Sequence, residues 1–183
     1  MPQFDVRVQH STVVSASPDR TYATLRAIDL NRSRWIRWLF AIRSLPSRGR
    51  RASPASSPRR VTFLESAQDM GWVILEERQR ELVAGSITQP WKAEVHFRGL
   101  PGPAFIAFNE PGFAKIAWSI AVEPAESASR VTLETRVLTT DPVSRRRFRL
   151  YWLVFSPGIK LVRRLILGLL RRDLRQPFLG GTI

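Results

Sequence analysis

Apolar and polar positions alternate from the start of the chain, with Phe4, Val6, Val8, Thr12 and Val14 on one phase and Asp5, Arg7, Gln9, Ser11 and Val13 on the other. A period of two predicts a strand with one face buried, and His10 falls on the buried phase. Ser17-Pro18-Asp19 then offers an N-cap, a proline whose fixed φ suits a first helical turn, and an early acid. Tyr22, Leu25, Ala27 and Ile28 follow at roughly helical spacing. A second helix is expected from Ser33 to Leu45, with Trp35, Trp38, Leu39 and Ile42 on one stripe and Arg34, Arg37 and Arg43 elsewhere.

From Met70 to Asp141 the pattern becomes short strands separated by turn chemistry. GWVILEE and ELVAGSIT flank the polar turn Arg78-Gln79-Arg80 as a hairpin. WKAEVHF alternates, with Trp91, Ala93, Val95 and Phe97 on one side and Lys92, Glu94 and His96 on the other. AFIAF reads as a further short strand between Gly/Pro turns. Ile116, Trp118, Ile120 and Val122 share one face of the next strand, and Val131, Leu133, Thr135 and Val137 one face of the last. Beyond Pro142 the period lengthens. Phe148, Trp152, Phe155, Ile159, Val162, Ile166 and Leu169 recur at steps of three and four, and Pro157-Gly158 predicts a kink or break near Ser156.

An antiparallel sheet with one apolar face needs a cover, and only the terminal helix is long enough to provide it. The expected fold class is therefore α+β: a curved antiparallel sheet of six to seven strands around a long C-terminal helix, with two short helices after strand 1. A sheet that wraps the helix leaves room between them for an apolar molecule. Residues 1–183 are expected to form one domain, with 46–60 a flexible loop rich in Arg, Ser and Pro and 173–183 a loose tail.

Four stretches carry a family resemblance: HSTVVSASPDRTYATL, LVAGSITQPW, PGFAKIAWSIAVEP and LETRVLTTDPVSRRRFRLYWLVFSPGIKLVRRLIL. The chain resembles the START-like or polyketide cyclase/dehydrase superfamily, also called SRPBCC or Bet v 1-like, and its last block resembles bacterial members of that group. The resemblance implies a helix-grip fold and a hydrophobic-ligand pocket. It implies no single activity, because the superfamily holds lipid carriers, hormone receptors and cyclases alike.

Composition narrows the chemistry. With no cysteine among 183 residues, disulfides, thiolate metal sites and cysteine nucleophiles are excluded. Two histidines, His10 and His96, are read on opposite strand phases and do not make a metal site, so no metal and no cofactor is expected. MPQFDVRVQH shows no basic-then-apolar leader, which points to a cytoplasmic location, with peripheral membrane contact as the variant. The net charge of +14 is polarised. Arginine supplies 26 of the 29 basic residues, and segments 30–64 and 142–183 hold 19 of those 29 with one of the 15 acids.

The cavity-lining candidates are the inward aromatics Trp91, Phe97, Phe108, Trp118, Tyr151, Trp152 and Phe155, each of which serves equally well as packed core. His10 reads first as a hydrogen-bonded structural histidine. Glu134 and Arg136 read as an outward cross-strand charge pair. No acid/base pair is visible, so a catalytic residue is not assigned. The leading function is binding of a lipid, isoprenoid or polyketide-like molecule between sheet and C-terminal helix. The alternatives are a cyclase/dehydrase-like enzyme using the same cavity, and contact with an anionic membrane or nucleic acid through basic segments 30–64 and 142–175, nucleic acid being the weaker of the two. A homodimer is a further option for the apolar second half of the terminal helix.

Overall fold

A computed structural model describes residues 2–28 and 63–175; the expected helix at 33–45 and the segment 46–60 lie outside them. The elements run β1 (Val6–Val14), α1 (Pro18–Ala27), α2 (Phe63–Asp69), β2 (Val73–Arg78), β3 (Glu81–Thr88), β4 (Phe97–Arg98), α3 (Gly102–Ala107), β5 (Ala114–Ala125), β6 (Ala128–Thr139) and α4 (Pro142–Arg175). The strands form one antiparallel sheet in the order β1-β6-β5-β3-β2, with β4 pairing with the far end of β3. This is the α+β helix-grip arrangement, with α4 as the long helix that covers the sheet.

Register assigns the faces. Val8 pairs with Thr135, Trp118 with Thr135 and Ala84 with Trp118, so these residues share the inner face, toward α4. Along β1 the inward positions Thr12 and Val14 are buried and the outward positions are exposed, as the alternation predicts. The main core joins Val14 of β1, Tyr22 and Leu25 of α1, Leu82 and Ala84 of β3, Ile120 and Val122 of β5, Val131 and Leu133 of β6, and Leu167 and Leu170 of α4. Each large aliphatic side chain buried there contributes about 1.5–3 kcal/mol.

β1 is an edge strand, and an open edge needs cover. Arg163 supplies some: it is buried, and its Nη1 donates to the Val8 carbonyl at 2.8 Å. At the other end of β1, Asp5 accepts the Thr139 backbone N–H at 2.8 Å and pairs with Arg145 of α4 at 2.8 Å. On the outer face Glu134 accepts from Arg7 at 2.7 Å and also binds Arg136, the charge cluster expected there.

Two expected strands are corrected. Residues 91–96 of WKAEVHF form turns, bends and irregular chain, and only Phe97–Arg98 is strand. Pro90 has no N–H to give a ladder, and the Lys92 N–H closes a turn on the Gln89 carbonyl at 3.0 Å. His96 is thus an exposed loop residue beside Glu94, not a strand residue. AFIAF is the core of helix α3, because Pro101 and Pro103 pre-set a first helical turn and Phe105 and Phe108 then fall on one side. α4 continues as one helix of 34 residues through Pro157, which excludes a break at Ser156 and is compatible with a kink there. It also runs to Arg175, three residues into the expected tail.

α3 covers the outer face of the sheet. Phe105 and Phe108 pack with Ile87 of β3 and Ala117 of β5, against Leu75, Leu100 and Phe113. Lys115 is buried beside them, its Nζ donating to the carbonyls of Ile106 at 2.7 Å and Phe108 at 3.1 Å, which satisfies the end of α3. Burial lowers the Lys115 pKa from its ordinary value.

Candidate functional site

The inner face carries aromatic side chains from both sheet and helix. On the sheet side the Trp72 ring lies 5.4 Å from Phe97 and 6.1 Å from Trp118. Gly71 makes this possible: its φ is +91°, and a Cβ there would run into the Phe97 carbonyl. Ser86 of β3 anchors the same turn by donating to the Gly71 carbonyl at 2.9 Å, and Thr88 donates to the His96 carbonyl at 2.7 Å. On the helix side Tyr151 stacks on Phe155 at 4.7 Å, and Phe148 lies 5.6 Å from Trp152. Trp91 and Ile116 pack against this group beside buried Ala114, Val137 and Phe148.

Burial is uneven along this face. Phe148, Ala114 and Val137 close one end, and Leu133, Ile120, Leu167 and Leu170 close the other. Between them Val6, Val8, His10, Trp91, Ile116, Trp118, Tyr151 and Trp152 point inward yet stay only half-buried. A fully packed core leaves such residues covered. This half-covered strip between the sheet and α4 is the candidate groove, with Tyr151 and Trp152 over one part of it and Arg163 over Val8.

Two polar atoms in this stretch are buried with no hydrogen-bond partner: Nδ1 of His10 and Nε1 of Trp91. Buried polar groups in folded proteins are nearly always satisfied, so both atoms call for a partner that the described side chains do not supply. Burial lowers the His10 pKa, and the cations Arg163, Arg164 and Lys160 of α4 lower it further. Its imidazole is thereby kept neutral near pH 7.

Of the seven cavity candidates, the structure brings Trp91, Phe97, Trp118, Tyr151, Trp152 and Phe155 to the inner face. Phe108 is corrected: it lies on the outer face in the α3 core, 5.5 Å from Phe113. The sequence reading had it on a strand; on a helix the same residue turns away. Trp72, which is not among those candidates, joins them on the inner face, in strand phase with Ile74.

An open cleft of about 360 Å3 lies elsewhere, lined by Ala23, Arg26 and Ala27 of α1, Leu64, Glu65 and Gln68 of α2, and Ile74 of β2. At its rim Arg26 pairs with Glu77 at 2.7 Å, and the Tyr22 hydroxyl reaches Glu77 at 3.4 Å. Burial and then the Glu77 charge raise the Tyr22 pKa, so it stays a neutral phenol. Among the described residues no three His, Asp or Glu side chains converge to hold a metal. No described helix is long and apolar enough to cross a membrane.

No family model matches the chain, and no curated protein matches it significantly. Two solved structures align over nearly its full length. The Mll3558 protein of Rhizobium loti is 12% identical, with a TM-score of 0.39 over 92% of this chain and 96% of its own. The ZhuI aromatase/cyclase of Streptomyces sp. R1128 is 14% identical, with a TM-score of 0.33 over 97% of this chain and 99% of its own. Similarities of that size speak to neither substrate nor mechanism.

Proposed function

We propose that the chain binds a small apolar or amphipathic molecule, of lipid, isoprenoid or polyketide-like size, between the inner face of the sheet and the first half of α4. One observation carries this reading: a run of inward aromatic residues is half-open between two fully buried ends. Apolar pockets with a few placed polar groups are the usual form of small-molecule sites. Trp91 Nε1 donates to a ligand oxygen, and neutral His10 offers its Nδ1 as donor or acceptor. Residues 1–183 then act as one START-like binding domain.

Binding without chemistry is favoured over a cyclase-like reaction. His10 is the sole ionisable side chain with an unpartnered buried atom among the described residues. A cyclase-like step would rest on His10 as the proton acceptor, and no second unpartnered buried ionisable group accompanies it among the described residues. The test is mass spectrometry of an organic extract from the purified protein, beside its native mass. A stoichiometric apolar compound supports the reading. A folded protein that carries nothing, and whose tryptophan emission ignores added farnesol, oleate and naphthol, overturns it.

A further inference from the structure

The side of α4 opposite the groove is unlike an ordinary solvent-facing helix. Leu150, Leu153 and Val154 are 70%, 76% and 70% exposed, and Leu161 is 42% exposed. At 100° per residue all four fall within about one third of the helix circumference, on the side away from Phe148 and Leu170. They form a ridge about 16 Å long, from Leu150 to Leu161 at 1.5 Å per residue. Isolated exposed leucines are normal, but a contiguous apolar ridge marks a contact surface.

Charge says what that contact is. Arg146 and Arg147 sit on the same side just before the ridge, and Arg164 and Arg172 follow it, all exposed. None of the four has an ion-pair partner among the described residues. From Pro142 to Arg172 there are nine basic side chains and no acidic one. A second copy laid ridge to ridge would set arginine against arginine in either direction, and the one carboxylate of α4, Asp173, lies 12 residues beyond the ridge on the inward side of the helix. A nucleic acid would neutralise the arginines yet leave the leucines against its charged backbone.

We propose that the outward face of α4 docks on an anionic lipid surface. Leu150, Leu153, Val154 and Leu161 enter the headgroup boundary, and the arginines at either end of the ridge meet lipid phosphates. An apolar face flanked by Arg is the pattern of a helix that lies in the interface plane. α4 keeps its opposite side on the sheet, so the domain docks folded. The proposal stands apart from ligand binding, because it uses residues on the other side of the helix.

The test is co-sedimentation of the full chain with vesicles of phosphatidylcholine alone and of phosphatidylcholine with one third phosphatidylglycerol. Wild type is expected to pellet with the anionic vesicles at low ionic strength and to be released by salt, as the Debye length falls from about 10 Å at 0.1 M to about 3 Å at 1 M. Arg146→Gln/Arg147→Gln should weaken partition roughly thirtyfold, about fivefold per cation lost from the surface. Leu153→Glu/Val154→Glu should abolish it. All four positions are exposed, so a thermal melt matching wild type is expected to accompany each variant. Equal binding to neutral vesicles overturns the proposal, as does ridge-variant binding at wild-type strength. So does a dimer in wild type that the ridge variant dissolves, or duplex DNA that displaces the vesicles and binds both proteins alike.

Discussion

The carboxylate of Asp141 accepts the backbone N–H of Gly112 at 2.6 Å, which ties the start of α4 to the turn that opens β5. The same carboxylate accepts the backbone N–H groups of Val143 and Ser144, each at 2.9 Å, and so caps the helix. One side chain therefore holds the first half of α4 over the sheet.

Replacing Asp141 with alanine should lower the melting temperature by several degrees, since a lost cap and an orphaned Gly112 N–H fall together. Hydrogen bonds from the Ser144 hydroxyl and from the Ser144, Gly112 and Val143 backbone hold the Asp141 carboxyl well below the ordinary carboxylate range. Its contribution is present above the unfolded value of about 3.9 and is lost as pH falls through the folded value. Melting curves of the two proteins should accordingly converge as pH drops below about 4. A gap that persists undiminished to strongly acidic pH would contradict this account.

His10 predicts a second pH effect at a milder acidity. Its folded pKa is depressed, so below the unfolded value of about 6.5 the unfolded chain takes up the proton more readily. Stability should fall as pH is lowered from 7 toward 5, and His10→Gln should flatten that slope. Urea denaturation at several pH values reads the slope directly. An identical slope in both proteins would place the charge sensitivity elsewhere.

The two faces of the sheet should separate stability from binding. Phe108→Ala on the outer face should cost about 3–5 kcal/mol in urea denaturation and leave the dissociation constant of a groove ligand unchanged. Trp118→Ala on the half-open inner face should cost less stability and weaken that ligand at least tenfold, read by fluorescence titration with whichever apolar compound the extract yields. The reverse pattern would mean that the groove has been placed on the wrong side of the sheet.

Where local pattern and tertiary structure agree, the sequence was readable. β1, the β2–β3 hairpin, β5, β6 and α1 follow from alternation and turn chemistry alone, because each buries one face and exposes the other. WKAEVHF shows the same alternation and fails, since Pro90 breaks the ladder and the chain must turn back to bring Phe97 beside Thr88. AFIAF is too short for its period to tell strand from helix, and Phe108 was assigned to the wrong face for that reason. The stripe on α4 was drawn through Phe148, Trp152 and Ile166, but Arg163 is also buried there. A guanidinium covering an edge-strand carbonyl leaves no mark on a hydropathy pattern. The ridge at Leu150 to Leu161 was hidden for the opposite reason: the whole segment is apolar, so periodicity does not say which side the sheet takes.

The pairing of β1 with β6 has a consequence for how the molecule is made. Val6 lies against Val137 and Val14 against Ser129, more than a hundred residues away. β1 finds the strand it pairs with among the described residues only after β6, the last of the described strands, has been made. Such long-range pairing slows folding, because the closure entropy is spent before any contact repays it. Until then the inward side of β1 is uncovered. A nascent chain stalled before β6 should accordingly be a chaperone client, while the β2–β3 hairpin has everything it needs to form unaided.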